Sequence, residues 1–284
     1  MGVNIDSDLL ERVRADVRLL NQDAALDVFP EPHSLRDALN AVQPKGTKKH
    51  APARNLTPET AKMFTTAAVD MWLRGVHSFL ISGSLTTVSP IWASVTGYYS
   101  SHYCVRALAH LLGFFRLFST KRMARLLPAA GRYSCDFSGK TGREHDIYWG
   151  IVKSDPHFAS DALFPASNLD VDHRDWANYA DHLPRFVPFR PLDKEALKIR
   201  IERISEIPFA SPPTPSPKEG GIPDVDNVQV LAYHRVVRFR EFVDGILVGK
   251  NRFWDVHRNP SWAMEFMDFQ LTEGRTLHSE FTIS

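Results

Sequence analysis

Two cysteines, Cys104 and Cys135, are all that 284 residues contain. Neither belongs to a C-x-x-C pair, which argues against a zinc ribbon or a disulfide scaffold, and lone thiols suit a reducing cytosol. An excess of one charge is also lacking: 34 basic side chains face 33 acidic ones, for a formal net charge of +1. No global field draws the chain to nucleic acid or membrane, so any such binding must come from a local patch. Long hydrophobic runs are missing too. The most apolar stretch, 104–118, is interrupted by Arg106, His110 and Arg116 and falls short of the roughly 20 apolar residues a membrane span needs. The opening MGVNIDSDLLERV is charged and amphipathic, without the apolar centre of a signal peptide. Gly2 begins a myristoylation-like string in which Asp6 replaces the usual Ser or Thr. Walker A, G-x-G-x-x-G and G-x-S-x-G sequences are absent, which disfavours a P-loop NTPase, a Rossmann enzyme and a serine hydrolase. These absences predict a cytoplasmic protein with no membrane contact, no metal and no cofactor.

What is present is helical periodicity. Leu9, Leu10, Val13, Val17, Leu20 and Ala24 recur at three- and four-residue spacing, which predicts a helix over 8–28, with Asp8 and Glu11 as a capping box. A short helix follows Ser34, and residues 44–56 read as a basic linker. Thr57-Pro58 and Ser89-Pro90 each pair a hydroxyl cap with a proline at the first helical position. They open helices predicted to run to about Leu80 and to residue 117, with a break over 81–88. From 119 to 190 the periodicity fades into short helices, loops and a small hairpin. Helical patterns return at 193–206 and 226–248, separated by six prolines within 208–223 that form a connector. The fold class expected is mainly α, with three segments: 1–56, a helical bundle over 57–150, and a loop-rich C-terminal region over 151–284.

The helix at 90–117 has two chemically distinct faces. At 100° per residue, Gly97, Ser101, Cys104, Leu108, Leu111 and Phe115 share one side, small at first and then large, as close helix packing followed by a filled core requires. Tyr99, His102, Tyr103, Arg106 and His110 share the other, with His102, Arg106 and His110 in line at four-residue steps. A guanidinium can hold a phosphate and an imidazole can exchange a proton with a ribose hydroxyl, the two capacities that metal-independent RNA cleavage needs. Such a face can equally stack and pair against a neighbouring helix or a second copy.

The stretch WASVTGYYSSHYCVRAL, Trp92 to Leu108, resembles the signature helix of the HEPN superfamily. The resemblance spans about residues 57–118. It implies a small helical bundle that dimerises through this helix, acting as an RNase or as a non-catalytic RNA-binding or scaffold module in bacterial defence and toxin–antitoxin systems. Active members carry Arg followed by His four to six residues later. If Tyr98-Tyr99 matches the family's tyrosine pair, Thr96 stands where Arg is common and Tyr103 where His is common. The leading expectation is therefore a non-catalytic or weakly catalytic HEPN-like subunit that binds RNA or a protein partner through the 90–117 helix. The alternative is an endoribonuclease in which Arg106 binds phosphate, His110 or His102 moves the proton, and Tyr99 or Tyr103 orients the substrate. Arg252 and His257 repeat the family spacing ahead of a proline.

Three further constellations carry chemistry. Arg116, Lys121, Arg122, Arg125, Arg132, Lys140 and Arg143 face one acid, Asp136, with Phe118, Tyr133 and Phe137 interleaved. Basic and aromatic residues together suit a single-stranded nucleic-acid surface, and the same charges would suit a solvated loop or an acidic partner. Asp170, Asp172 and His173 resemble the core of an HNH metal nuclease, although the expected Cys pairs are absent. His145-Asp146 is an isolated HD pair lacking the further ligands of a phosphohydrolase.

Overall fold

The computed structural model describes residues 50–55, 57–117, 122–129, 132–138, 142–156, 158, 161, 163, 194–207 and 225–246. Strand β1 spans His50–Asn55, helix α1 Pro58–Leu85, α2 Pro90–Leu111, β2 Phe114–Arg116, β3 Met123–Ala129, β4 Arg132–Ser138, α3 Glu144–Ser154, α4 Lys194–Glu206 and α5 Val225–Ile246. The described residues are thus mainly helical, with a four-stranded antiparallel sheet in the order β1-β4-β3-β2. The expected helices at 8–28 and after Ser34, the proline connector, the aromatic tail, and the candidates Lys121, Lys140, Asp170, Asp172, His173, Arg252 and His257 lie outside the described residues.

Helices α1 and α2 form an antiparallel hairpin. Ser82 Oγ donates to Ala93 O at 2.6 Å near the connection, and Ser100 Oγ donates to Gly75 O at 2.8 Å further along. Both helices approach closely because glycine and serine face one another. A Cβ on Gly75 would sit 3.0 Å from Cys104 Sγ and 3.2 Å from Ser100 O, closer than van der Waals contact allows. Helix α5 then packs on both. Trp72 Nε1 donates to Val236 O at 2.9 Å, and the Trp72 ring stacks on Phe239. Fully buried Gln229 donates to Ser82 Oγ and Thr86 Oγ1 and accepts from Arg200 Nε of α4, so one amide joins three helices. Buried amides are stable only when satisfied in this way. The core therefore unites α1 and α2 with α4 and α5, elements from either side of the boundary expected at 150.

The two proline starts hold, with one difference. Ser89 is the N-cap in extended geometry, yet its hydroxyl makes no capping bond; fixed proline φ is what favours the turn. Three boundaries are corrected. Helix α1 continues to Leu85 instead of breaking at 81. Residues 50–55, expected as linker, form β1, paired to β4. The long helix ends at Leu111 instead of 117. Gly113, at φ +83°, reverses the chain there, a backbone conformation that side chains with a Cβ seldom adopt. Its carbonyl accepts Leu126 N at 2.8 Å, which turns 114–116 into a strand.

Candidate functional site

Helix α2 is enclosed on three sides by α1, α5 and α3, so the expected two-faced helix is buried over most of its circumference. The polar stripe divides as a result. Tyr99, Tyr103 and Arg106 are half-buried, whereas His102 and His110 are 2% and 4% exposed. With Trp92, 59% exposed, and Thr96, the accessible residues form a line at alternating steps of four and three: Trp92, Thr96, Tyr99, Tyr103, Arg106.

His110 sits in a packed slot. Its ring stacks on Phe115 with centroids 4.5 Å apart, and Nδ1–H donates to Phe114 O at 2.8 Å. Burial, reinforced by the Arg106 charge and opposed by the Phe114 hydrogen bond, lowers its pKa to about 3. The group is therefore neutral and sealed. A catalytic imidazole must reach substrate and titrate near the working pH, and His110 meets neither condition.

The imidazole with access is His145, in the first turn of α3. It stacks on His102 at 4.0 Å, meets Tyr99 edge-on at 5.6 Å, and its Nδ1 lies 2.6 Å from the hydroxyl of fully buried Tyr98. Beside it, Glu144 carries two guanidiniums: Arg106 Nη1 at 2.8 Å and Arg116 Nη1 at 3.4 Å. Arg106 also lies over the Tyr148 ring, 5.2 Å from its centroid, and the Tyr148 hydroxyl accepts the Arg116 backbone N–H. Burial is the main cause that raises the Tyr148 pKa. Sequence periodicity singles out neither Tyr98, Glu144 nor Tyr148, and it leaves His145 isolated. Their partners lie 28 to 47 residues away, beyond any helical period. A signal was present nonetheless: two acids flanking a histidine immediately before the apolar run Ile147–Val152 mark the first turn of a helix.

The basic stretch is a sheet, not a loop. Antiparallel register sets Phe114 opposite Arg125, Arg125 opposite Asp136, and Ala129 opposite Arg132. Side chains alternate along a strand and cross-strand partners share a face, so Phe114, Arg116, Met123, Arg125, Arg132 and Asp136 stand on one side, with Met123 buried. Arg125 and Arg132 are exposed, and the Arg125 guanidinium covers the half-buried Phe114 ring at 5.3 Å. The opposite side holds buried Phe115, Ala124, Leu126, Cys135 and Phe137. Arg122 leans the other way, over Phe137, and donates to its carbonyl at 3.3 Å.

Among the described residues no three His, Cys, Asp or Glu side chains converge as metal ligands, and no helix is long and apolar enough to cross a membrane. No protein-family model matches the chain, and neither curated proteins nor solved structures give a match.

Proposed function

We propose that this chain is a non-catalytic, HEPN-like subunit that binds single-stranded RNA on the arginine-bearing face of its sheet. The observation that carries this reading is the convergence of Arg116, Arg125 and Arg132 from three strands onto one face, with the Phe114 ring beneath Arg125. Guanidiniums neutralise phosphates, and an aromatic ring offers any base a stacking surface. The bacterial defence or toxin–antitoxin setting rests on the resemblance of Trp92–Leu108 to the HEPN signature helix. The accessible line from Trp92 to Arg106 supplies aromatic and Arg residues of the kind that anchor protein interfaces, which supports a second copy or a protein partner on α2.

The catalytic alternative, with Arg106 and His110, is disfavoured by the burial of His110 and the Arg106–Glu144 ion pair. One experiment addresses both readings. Purified protein is titrated into a fluorescent 12-nucleotide oligouridylate in chelator. Binding without cleavage is expected, with affinity reduced about tenfold in the Arg125→Ala, Arg132→Ala double variant. The salt dependence of log K should flatten by about 0.7 for each phosphate that is no longer neutralised. Cleavage that disappears in Arg106→Ala and His110→Ala would establish the enzyme instead. Binding unaffected by removal of both sheet arginines would take the sheet out of the account.

A further inference from the structure

One carboxylate holds two guanidiniums at the junction of the helices and the sheet. Glu144 Oε1 is 2.8 Å from Arg106 Nη1, and its Oε2 is 3.4 Å from Arg116 Nη1. All three side chains reach solvent, at 26%, 15% and 36% exposure for Arg106, Arg116 and Glu144. Two positive charges against one negative leave the group cationic. Its hydrogen bonding is incomplete too: buried Arg106 Nε–H has no acceptor among the described residues, and a buried donor left unmade is costly. Arg116 belongs to β2, on the same face as Arg125 and Arg132. Arg116 therefore links that face to the Arg106 cluster, past buried Met123 and the half-buried Phe114 ring, and Tyr103 and Tyr99 lie half-exposed one and two helical turns away on α2.

We propose that Arg106 and Arg116 form a second phosphate subsite for RNA, which the Glu144 carboxylate occupies when the strand is absent. A phosphate diester presents two non-bridging oxygens that share one negative charge, as a carboxylate does, so it fits the same guanidiniums in place of Glu144. RNA lying on the sheet passes Arg132 and Arg125, reaches Arg116, and must displace Glu144 to engage Arg106. Glu144 is thereby an internal competitor that holds affinity down. This inference rests on the RNA-binding reading of the sheet and adds a gate to it.

The test uses the full chain and the same oligouridylate. Glu144→Gln keeps the shape of the side chain and removes its charge. It is expected to bind about tenfold tighter, the worth of one freed charge-assisted hydrogen bond, with a salt dependence of log K steeper by about 0.7 for each additional phosphate neutralised. Asp146→Asn makes the same change of net charge in the same helical turn, on an exposed residue, and is expected to bind like the unmodified protein. Adding Arg106→Gln to Glu144→Gln should abolish the tighter binding. Glu144→Asp, one methylene shorter, cannot span both guanidiniums and should shift affinity less in the same direction, which secures the test if Glu144→Gln is unfolded by its melting curve. If Glu144→Gln binds no tighter than Asp146→Asn while removal of Arg125 and Arg132 still weakens binding, the gate is refuted and the sheet reading stands. If neither the unmodified protein nor Glu144→Gln binds the oligouridylate, both are refuted.

Discussion

The imidazoles of His102 and His145 stack with ring centroids 4.0 Å apart, joining the middle of α2 to the first turn of α3. His145 also engages the hydroxyl of Tyr98, which is otherwise enclosed. Replacing His145 with Ala removes the stacked ring and a hydrogen-bond partner of the phenol together. A loss of about 1–3 kcal/mol is expected from the lost stack and hydrogen bond, read as a lower urea midpoint at unchanged slope. An unaltered midpoint would mean that α3 is held by its apolar face alone.

Acidification should destabilise the protein well before its carboxylates protonate. Folded His110 keeps a pKa of about 3, depressed chiefly by burial, against 6.5 for an ordinary imidazole. The unfolded chain therefore binds a proton that the folded chain refuses. The contribution is whole above the unfolded pKa and is lost as pH falls from there toward the folded value, amounting to about 2 kcal/mol at pH 5. Half-buried His234 and His77 are depressed in the same direction, so their contributions have the same sign. In His110→Asn, whose amide can still donate to Phe114 O, stability should fall less between about pH 7 and about pH 5. Parallel pH profiles for the two proteins would contradict this assignment.

Gly97 marks a close approach between α2 and α5. A Cβ there would lie 2.8 Å from Val228 Cγ1 and 3.1 Å from Ser82 Oγ. Gly97→Ala is expected to cost about 1–3 kcal/mol through overpacking. Val228→Ala removes the opposing methyl groups, so the double variant should be more stable than the sum of the single losses. Additive losses in denaturant titrations would show that the clash is absorbed elsewhere.

Arg235 is fully buried on α5, with Nε and Nη2 both donating to Leu163 O at 3.0 and 2.7 Å and the guanidinium 4.9 Å from the Trp149 ring centroid. The neighbouring Arg238 pairs with Asp161 at 3.0 Å. Together they fasten Asp161 and Leu163 to α5. Arg235→Met should leave the Leu163 carbonyl unpaired and make this segment the first site of cleavage under limited proteolysis. Cleavage at the same rate as in the unmodified protein would show that the Asp161–Arg238 pair suffices.

Much of the helical framework is readable in one dimension. Thr57-Pro58 and Ser89-Pro90 start helices because proline fixes φ and needs no hydrogen bond there. Gly97, Ser101 and Cys104 announce a close-packed face because small side chains at helical spacing let backbones approach. The mainly helical class and the limits of α4 and α5 follow from the same periodicity. The sheet and the site were decided elsewhere. Strands β2 to β4 carry one arginine each, and their register comes from pairing that no local pattern expresses. The end of α2 depended on one left-handed glycine, Gly113, easily overlooked among apolar neighbours. Above all, the sequence alone set His110 in line with Arg106 by a four-residue step, whereas the fold sealed His110 against Phe115, brought Glu144 to Arg106 and stacked His145 on His102. Helical spacing determines which residues share a face. Only the packing of other elements on that face determines which of them meets solvent, because burial is a property of the assembled layers and not of the helix.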